Sequence, residues 1–207
     1  MCLATGEGYR IGRLAANAGA ATRVVYTGPV GADPFHTLGL PPAFQVDAAA
    51  VERAYLTASA TVHPDLAAGD PDAPGRMAEI NQARRVLENP ELRADALLAR
   101  LGGPTREQER GLPEGFLAEM MEIRERIDAA LSGGSPPQRA AWEAWAMDRR
   151  EEAVRETGAL FAGLSSPPKP EELRAVRIRL NAWRYIERLI EQLDPDYESP
   201  DRRGVVG

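Results

Sequence analysis

The chain has little cysteine, little histidine and no long apolar run. Its 207 residues include one cysteine, Cys2, which excludes an internal disulfide and is typical of a protein from a reducing compartment. Two histidines, His36 and His63, cannot complete a cysteine and histidine zinc site with that cysteine, so we expect no metal and no other cofactor. No segment approaches the roughly 20 consecutive apolar residues of a membrane-spanning helix. These absences predict a cytoplasmic protein with no membrane partner.

An excess of positive charge is also missing. The formal net charge is -6 at pH 7, whereas proteins that bind duplexes usually present a dense cationic face, so we expect no nucleic-acid partner. Hydrophobic residues make up 43 % of the chain, which is enough for one or two small domains with real cores. Residues 1–32 are rich in Ala and Gly without sustained periodicity, and we expect them to form a loose tail. A protein is therefore the expected partner of a folded region that begins near residue 33.

Two amphipathic segments flank a loop rich in Gly, Asp and Pro. The first follows an N-cap candidate, Asp47, and repeats apolar residues at spacings of four, three and four, which predicts a helix with one buried face. This stripe consists of Val51, Tyr55, Ala58 and Val62. The second segment carries its own stripe at Met77, Ile80, Ala83 or Arg84, and Leu87. We expect two antiparallel helices held by burial of Leu38, Tyr55, Val62, Ile80 and Leu87.

The tripeptide His63-Pro64-Asp65 stands where the first of these helices stops. Pro64 has no amide hydrogen and clashes with the preceding turn, so it ends the helix and pushes His63 toward an extended conformation. His63 and Asp65 are therefore expected to project outward from a rigid corner.

This arrangement resembles the J-domain, whose helical hairpin carries an invariant His-Pro-Asp at its tip. The resemblance extends to both sides of the tripeptide. Residues 33–40 look like the short first helix of a J-domain, and Ile80-Asn81-Gln82-Ala83 with Val86-Leu87 looks like the third.

The resemblance implies that His63, Pro64 and Asp65 bind a DnaK-type chaperone and bias it toward ATP hydrolysis. J-domains commonly carry several basic residues on the helix before the tripeptide, where this chain offers only Arg53. Arg84 on the facing helix is the further cation that we expect at the chaperone contact. Electrostatic steering toward the chaperone should accordingly be weak.

Strong helix breakers divide the rest of the chain. Pro90 restarts it as a fourth helix that ends at Gly102-Gly103, and the polar residues 104–113 are a hinge or a rigid elbow. Three further helices are predicted, and their short connections favour an antiparallel three-helix bundle in an all-α protein. The helices are expected at about 114–131, 137–164 and 170–193. The predicted units are a tail at 1–32, a J-domain at 33–103, a linker at 104–113, a bundle at 114–195 and a frayed end at 196–207.

The first bundle helix has more apolar residues than its core needs. Its core stripe consists of Phe116, Met120, Ile123, Ile127 and Leu131. Leu117 and Met121 lie about 100° round the helix from that stripe, beside Glu122 and Glu125. These two residues either pack against the J-like unit or form a contact surface for another protein.

The order of residues 116–125, followed by Trp183-Arg184-Tyr185-Ile186-Glu187-Arg188-Leu189 on a later helix, is similar to the C-terminal domain of the HscB co-chaperones. That family fuses a J-domain to a three-helix bundle and delivers an IscU-type iron-sulfur scaffold protein to a DnaK/HscA-type chaperone, whose ATPase it stimulates. The resemblance implies that the scaffold contacts Leu117, Met121, Glu122, Glu125 and Tyr185. Ala118 departs from the pattern, since family members can carry a larger apolar residue there.

Other functions are less well supported by the residues. A catalytic grouping of Cys2, His63 and Asp65 would need the presumed loose tail, and glutamates such as Glu122 and Glu125 on a helix surface are usually solvated, so we expect no enzyme. Two alternatives remain open. One is a J-domain protein with a different client, and the other is a helical interaction protein with a vestigial corner, which the lone Arg53 favours.

Overall fold

The structure, a computed structural model, describes residues 33–62 and 71–193. Within these ranges all regular secondary structure is helical, which confirms the all-α prediction. None of the described helices is both long and apolar enough to cross a membrane. The helices are α1 (Pro34–Thr37), α2 (Ala48–Ala60), α3 (Ala73–Glu88), α4 (Pro90–Arg100), α5 (Phe116–Gly133), α6 (Pro136–Ala162) and α7 (Pro170–Leu193).

Helices α2 and α3 form the predicted antiparallel pair. Asp47 caps α2 by accepting a hydrogen bond from the backbone N–H of Ala49 at 3.0 Å. Four of the five residues expected to hold the pair are buried: Leu38, Val62, Ile80 and Leu87. Tyr55 is only partly buried, because its hydroxyl donates to Asn81 Oδ1 at 3.2 Å near the surface. The hairpin is therefore closed by a buried apolar stripe with a polar contact at its rim.

Helices α5, α6 and α7 form the predicted bundle. On α5 the expected stripe is buried at Phe116, Met120, Ile123 and Ile127. Helix α7 is the central helix, since it contacts α4, α5 and α6 and buries Trp183 completely. The other two tryptophans, Trp142 and Trp145 on α6, are half-buried and meet edge to face at 5.7 Å between ring centroids.

The segment between α4 and α5, predicted to be a hinge or a rigid elbow, is hydrogen-bonded to α7. Side chains of α7 hold its backbone: Arg177 Nε donates to the carbonyl of Pro104 at 2.9 Å. Asn181 Nδ2 donates to the carbonyls of Glu109 and Gly111, each at 3.0 Å. Because these bonds satisfy backbone acceptors of half-buried residues, releasing the elbow from α7 would leave those carbonyls without these partners. We call residues 104–113 the elbow.

An aromatic contact and charged pairs join the J-like unit to the bundle. Phe44, which is buried in the loop between α1 and α2, stacks on Phe161 of α6 with 5.5 Å between centroids. On the other side, Asp95 of α4 accepts from Arg177 of α7 at 2.6 Å. Arg184 of α7 also lies 3.6 Å from the carboxylate of Glu91 on α4, so one aromatic contact and two charged pairs are among the contacts between the units.

Candidate protein-binding sites

The tripeptide His63-Pro64-Asp65 falls within residues 63–70, which lie outside the described residues, as do the expected tail at 1–32 and the chain end after residue 193. The structure describes what flanks the tripeptide. Helix α2 ends at Ala60, Val62 is buried against the hairpin core, and α3 begins at Ala73. The two helices on either side of the tripeptide in the sequence therefore do pack side by side.

The two arginines expected at the chaperone contact have different surroundings. The Arg53 side chain is 69 % exposed, and its guanidinium lies 3.7 Å from the carboxylate of Asp47. Arg84 pairs with Glu52 and Glu88, each at 2.7 Å, and its guanidinium covers the Tyr55 ring 4.4 Å from the centroid. Arg53 therefore presents its charge to solvent, whereas the charge of Arg84 is largely balanced within the hairpin.

The outward face of α2 also carries an apolar residue that the sequence analysis did not single out. Leu56 is 55 % exposed, next to the exposed Thr57 and Ala60. The signal was available, because Leu56 follows Tyr55 and so lies about 100° away from the buried stripe. With Arg53 as its one cation, this face is mostly neutral.

Leu117 and Met121 are exposed, so the interpretation that they pack against the J-like unit is wrong. Leu117 is 50 % exposed and Met121 is 60 % exposed. Tyr185 of α7 is 37 % exposed and meets the ring of Phe116 edge to face at 6.0 Å, which brings it beside the start of α5. We call Leu117, Met121 and Tyr185 the apolar strip. It is built from two helices that are distant in sequence.

Glu122 and Glu125 form an acidic edge on α5. The Glu122 side chain is 74 % exposed and lies 3.8 Å from Arg126, while Glu125 is exposed on the same helix. Successive residues turn by about 100°, so on leaving the buried side of α5 one meets Leu117 and Met121, then Glu125, then Glu122. The two carboxylates consequently border the apolar strip on the side away from the core.

A second surface lies on the opposite side of Tyr185, and sequence reasoning missed it. An open groove of about 510 Å³ runs between the elbow and α7. Its position depends on the anchoring of the elbow, which no local pattern in the sequence indicates. The groove is lined by Arg106, Glu107, Arg110, Leu112, Asn181, Arg184, Tyr185 and Arg188.

Behind this groove lies a buried carboxyl group, Glu91 on α4, which is 2 % exposed. Arg106 Nη2 donates to its Oε1 at 3.2 Å, and Arg184 Nη1 lies 3.6 Å from its Oε2. Burial raises the pKa of Glu91 to about 7; Arg184 and Arg106 oppose the rise, and Glu187 and Asp95 add to it. The arginines that back the groove are therefore committed to Glu91 and its neighbours.

Both parts of the chain match known family models. Residues 33–95 match the DnaJ domain, and residues 112–194 match the HSCB C-terminal oligomerisation domain. These two ranges contain the α2–α3 hairpin and the apolar strip, respectively.

Curated relatives match over most of the chain. A co-chaperone protein HscB homolog from Bordetella petrii is 31 % identical over 167 residues, covering 78 % of this chain and 94 % of the relative. Its counterpart from Paraburkholderia phymatum is 32 % identical over 173 residues, covering 81 % and 95 %. A third, from Chromobacterium violaceum, is 39 % identical over 104 residues, covering 47 % and 59 %.

Solved structures show the same fold. Chaperone HscB from Vibrio cholerae aligns with a TM-score of 0.63 at 22 % identity, covering 77 % of this chain and 94 % of that one. Human co-chaperone protein HscB aligns with a TM-score of 0.64 at 21 % identity, covering 86 % and 92 %. At these identities the structures establish the fold alone. Together with the two family models and the curated relatives, they show that the chain belongs to the HscB family of J-domain co-chaperones.

Proposed function

We propose that this protein serves iron-sulfur cluster assembly by delivering an IscU-type scaffold protein to a DnaK/HscA-type chaperone and stimulating the ATPase of that chaperone. The observation that carries the proposal is the apolar strip, which exposes Leu117, Met121 and Tyr185 on the bundle of an HscB-family chain. Exposed apolar groups that lie together and are bordered by charge are typical of a protein contact. The chain itself would make and break no bonds.

The chaperone contact is assigned to residues 33–103. His63, Pro64 and Asp65 would bind the chaperone and shift it toward its hydrolysing arrangement, which is a coupling between two sites. Arg53, exposed on α2, would lie at the rim of this contact. Arg84 is already paired with Glu52 and Glu88. It would contact the chaperone only by breaking these ion pairs or by binding the chaperone while it keeps them.

The scaffold contact is assigned to residues 114–195. Leu117, Met121 and Tyr185 are the proposed anchors, since truncating aliphatic and aromatic side chains at the centre of an interface usually costs the most affinity. Glu122 and Glu125 would lie at the rim, where charge sets orientation and association rate more than affinity.

The first experiment measures the steady-state ATPase of the cognate DnaK-type chaperone with increasing amounts of this protein. We expect stimulation by the unaltered chain and its loss in His63→Gln. Leu117→Ala serves as the control, since a change on the bundle should leave direct stimulation of the chaperone intact. Equal stimulation by His63→Gln would contradict the assignment of the tripeptide.

The second experiment measures binding of the cognate apo scaffold by calorimetry. We expect Leu117→Ala and Met121→Ala each to weaken binding by about tenfold, as for anchors at the centre of an interface. Met147→Ala is the matched control, because Met147 is 41 % exposed on α6, a helix that contributes no residue to the strip. If the unaltered chain binds no scaffold, a J-domain protein with a different client becomes the better interpretation.

A further inference from the structure

The apolar strip is bordered by opposite charges on its two sides. Glu122 and Glu125 lie on one side, and the groove between the elbow and α7 lies on the other. Four arginines and a single carboxylate line this groove, although the whole chain has a net charge of -6. Tyr185 belongs both to the strip and to the groove lining, so the two surfaces are continuous.

Two of the four arginines are available to a partner. Arg110 and Arg188 are exposed, and within residues 33–62 and 71–193 neither lies within 4.0 Å of a carboxylate oxygen. The guanidinium of Arg188 lies 5.9 Å from the centroid of the Tyr185 ring, at the end of the strip. Arg106 and Arg184 have a different task, because both are paired with buried Glu91.

The groove is held in shape before any partner arrives. Asn181 of α7 binds the backbone carbonyls of Glu109 and Gly111, the two neighbours of Arg110. Arg110 and Arg188 are therefore presented from one rigid frame, which lowers the entropy lost when a partner binds both. Glu107 is the one acid in the lining; its pKa is lowered first by a hydrogen bond from Thr105, and also by the nearby charges of Arg110 and Arg106.

We propose that this groove binds an acidic segment, through Asp or Glu carboxylates, of the same protein that covers the apolar strip. The inference rests on the proposed function, since it deepens the description of the scaffold as a partner. Guanidinium groups match carboxylates with two parallel hydrogen bonds, and an open groove with Leu112 and Tyr185 in its lining suits a polypeptide better than a small free anion. With an acidic border on one side and a basic one on the other, the strip admits a single orientation of its partner.

The test measures binding of the cognate apo scaffold to the full chain at 50 mM and 500 mM salt. We expect the double variant R110E/R188E to bind about tenfold more weakly at 50 mM, and the difference to shrink at 500 mM because exposed charges are screened. R110E alone leaves Tyr185 and Arg188 in place and should lose about threefold. R155E is the matched control, since Arg155 is 72 % exposed on α6 outside the groove.

A complementary measurement identifies the segment. Exposed Asp and Glu residues of the scaffold are replaced by Arg one at a time, and at least one replacement should restore binding to R110E/R188E. Far-UV circular dichroism and the unfolding midpoint verify that the altered chains fold, and R110Q/R188Q replaces the reversed pair if they do not.

Each outcome bears on a distinct claim. If the scaffold binds and Leu117→Ala weakens it, but R110E/R188E behaves like R155E, the groove inference is overturned and the proposed function stands. Failure of every scaffold replacement to restore affinity also overturns the groove inference. If the unaltered chain binds no scaffold, both proposals fall.

Discussion

Among residues 33–62 and 71–193, Glu91 is the one whose ionisation the fold alters most clearly. It sits on α4 with 2 % of its surface exposed, between the arginines of the elbow and of α7. Burial raises its pKa to about 7 in the folded chain, against an ordinary value of 4.5. Because the folded state then binds a proton more tightly than the unfolded state, this residue stabilises the fold at low pH and loses that effect as the pH rises through about 7.

We expect Glu91→Gln to change how the stability of the fold depends on pH. The quantity to follow is the free energy of unfolding of the original chain minus that of the variant. This difference should fall by on the order of 2 kcal/mol between pH 5 and pH 8, since one pKa unit corresponds to about 1.4 kcal/mol. Urea unfolding at each pH gives the difference. An unchanged difference over this range would show that the two arginines keep Glu91 charged.

Among the elements, α2 is the one that would meet the chaperone in the proposed function. Its outward face presents Leu56, Thr57 and Ala60, with Arg53 as its one cation. A mostly neutral face gives little long-range attraction to an acidic partner, so short-range contact must supply most of the binding.

The neutral face of α2 predicts that stimulation of the chaperone ATPase depends little on salt. The concentration of this protein that gives half-maximal ATPase stimulation should change less than about threefold between 50 mM and 300 mM salt. Thr57→Lys with Ala60→Lys adds cations in line with Arg53 and should lower that concentration several-fold at 50 mM only.

Lysines at two exposed positions of α6 provide the control, as Ala140→Lys and Ala144→Lys add the same charge away from α2. A steep salt dependence in the unaltered chain, or the same gain from the α6 lysines, would contradict this account of α2.

For the whole molecule, we expect the contacts between the two helical units to govern how it unfolds. Phe44 of the J-like unit stacks on Phe161 of the bundle. Gly158 of α6 lies beside this contact, and a Cβ atom at that position would lie only 3.2 Å from the Phe44 ring. Asp95 and Glu91 of α4 pair with arginines of the elbow and α7. Separating the units would expose Phe44 and leave buried charges unpaired, which is costly.

We expect the two helical units to unfold together in a single transition. The three tryptophans all lie in the bundle, so tryptophan fluorescence reports that unit, whereas far-UV circular dichroism reports every helix. The two signals should give coincident denaturation curves. Phe44→Ala should shift both by the same amount, about 3–5 kcal/mol, although it lies outside the bundle.

Leu56→Ala is the control for this experiment, since an exposed leucine should change stability by no more than about 0.5 kcal/mol. A fluorescence curve that stays in place while the dichroism curve moves would show that the units unfold separately.

The features that could be predicted from the sequence are local: which residues form helices, where the helices end, and which apolar residues lie off the buried stripes. Proline fits the first turn of a helix but not its interior, for reasons of backbone sterics alone. Helices α4 and α7 accordingly begin at Pro90 and Pro170, as predicted. Leu117 and Met121 were separable from the α5 core because helical periodicity is a property of neighbouring residues. Their exposure, however, was decided by where the J-like unit sits.

The burial of Glu91, the anchoring of the elbow to α7 and the groove beside Tyr185 result from tertiary packing. A charged residue in a sequence is expected to be solvated, and nothing near Glu91 marks it as an exception. Its arginine partners are Arg106 of the elbow and Arg184 of α7, and Arg184 lies 93 residues further along the chain. These charged pairs form because α4 packs on α7. The free energy of that packing comes from contacts across the whole interface, so no single segment of the sequence predicts it.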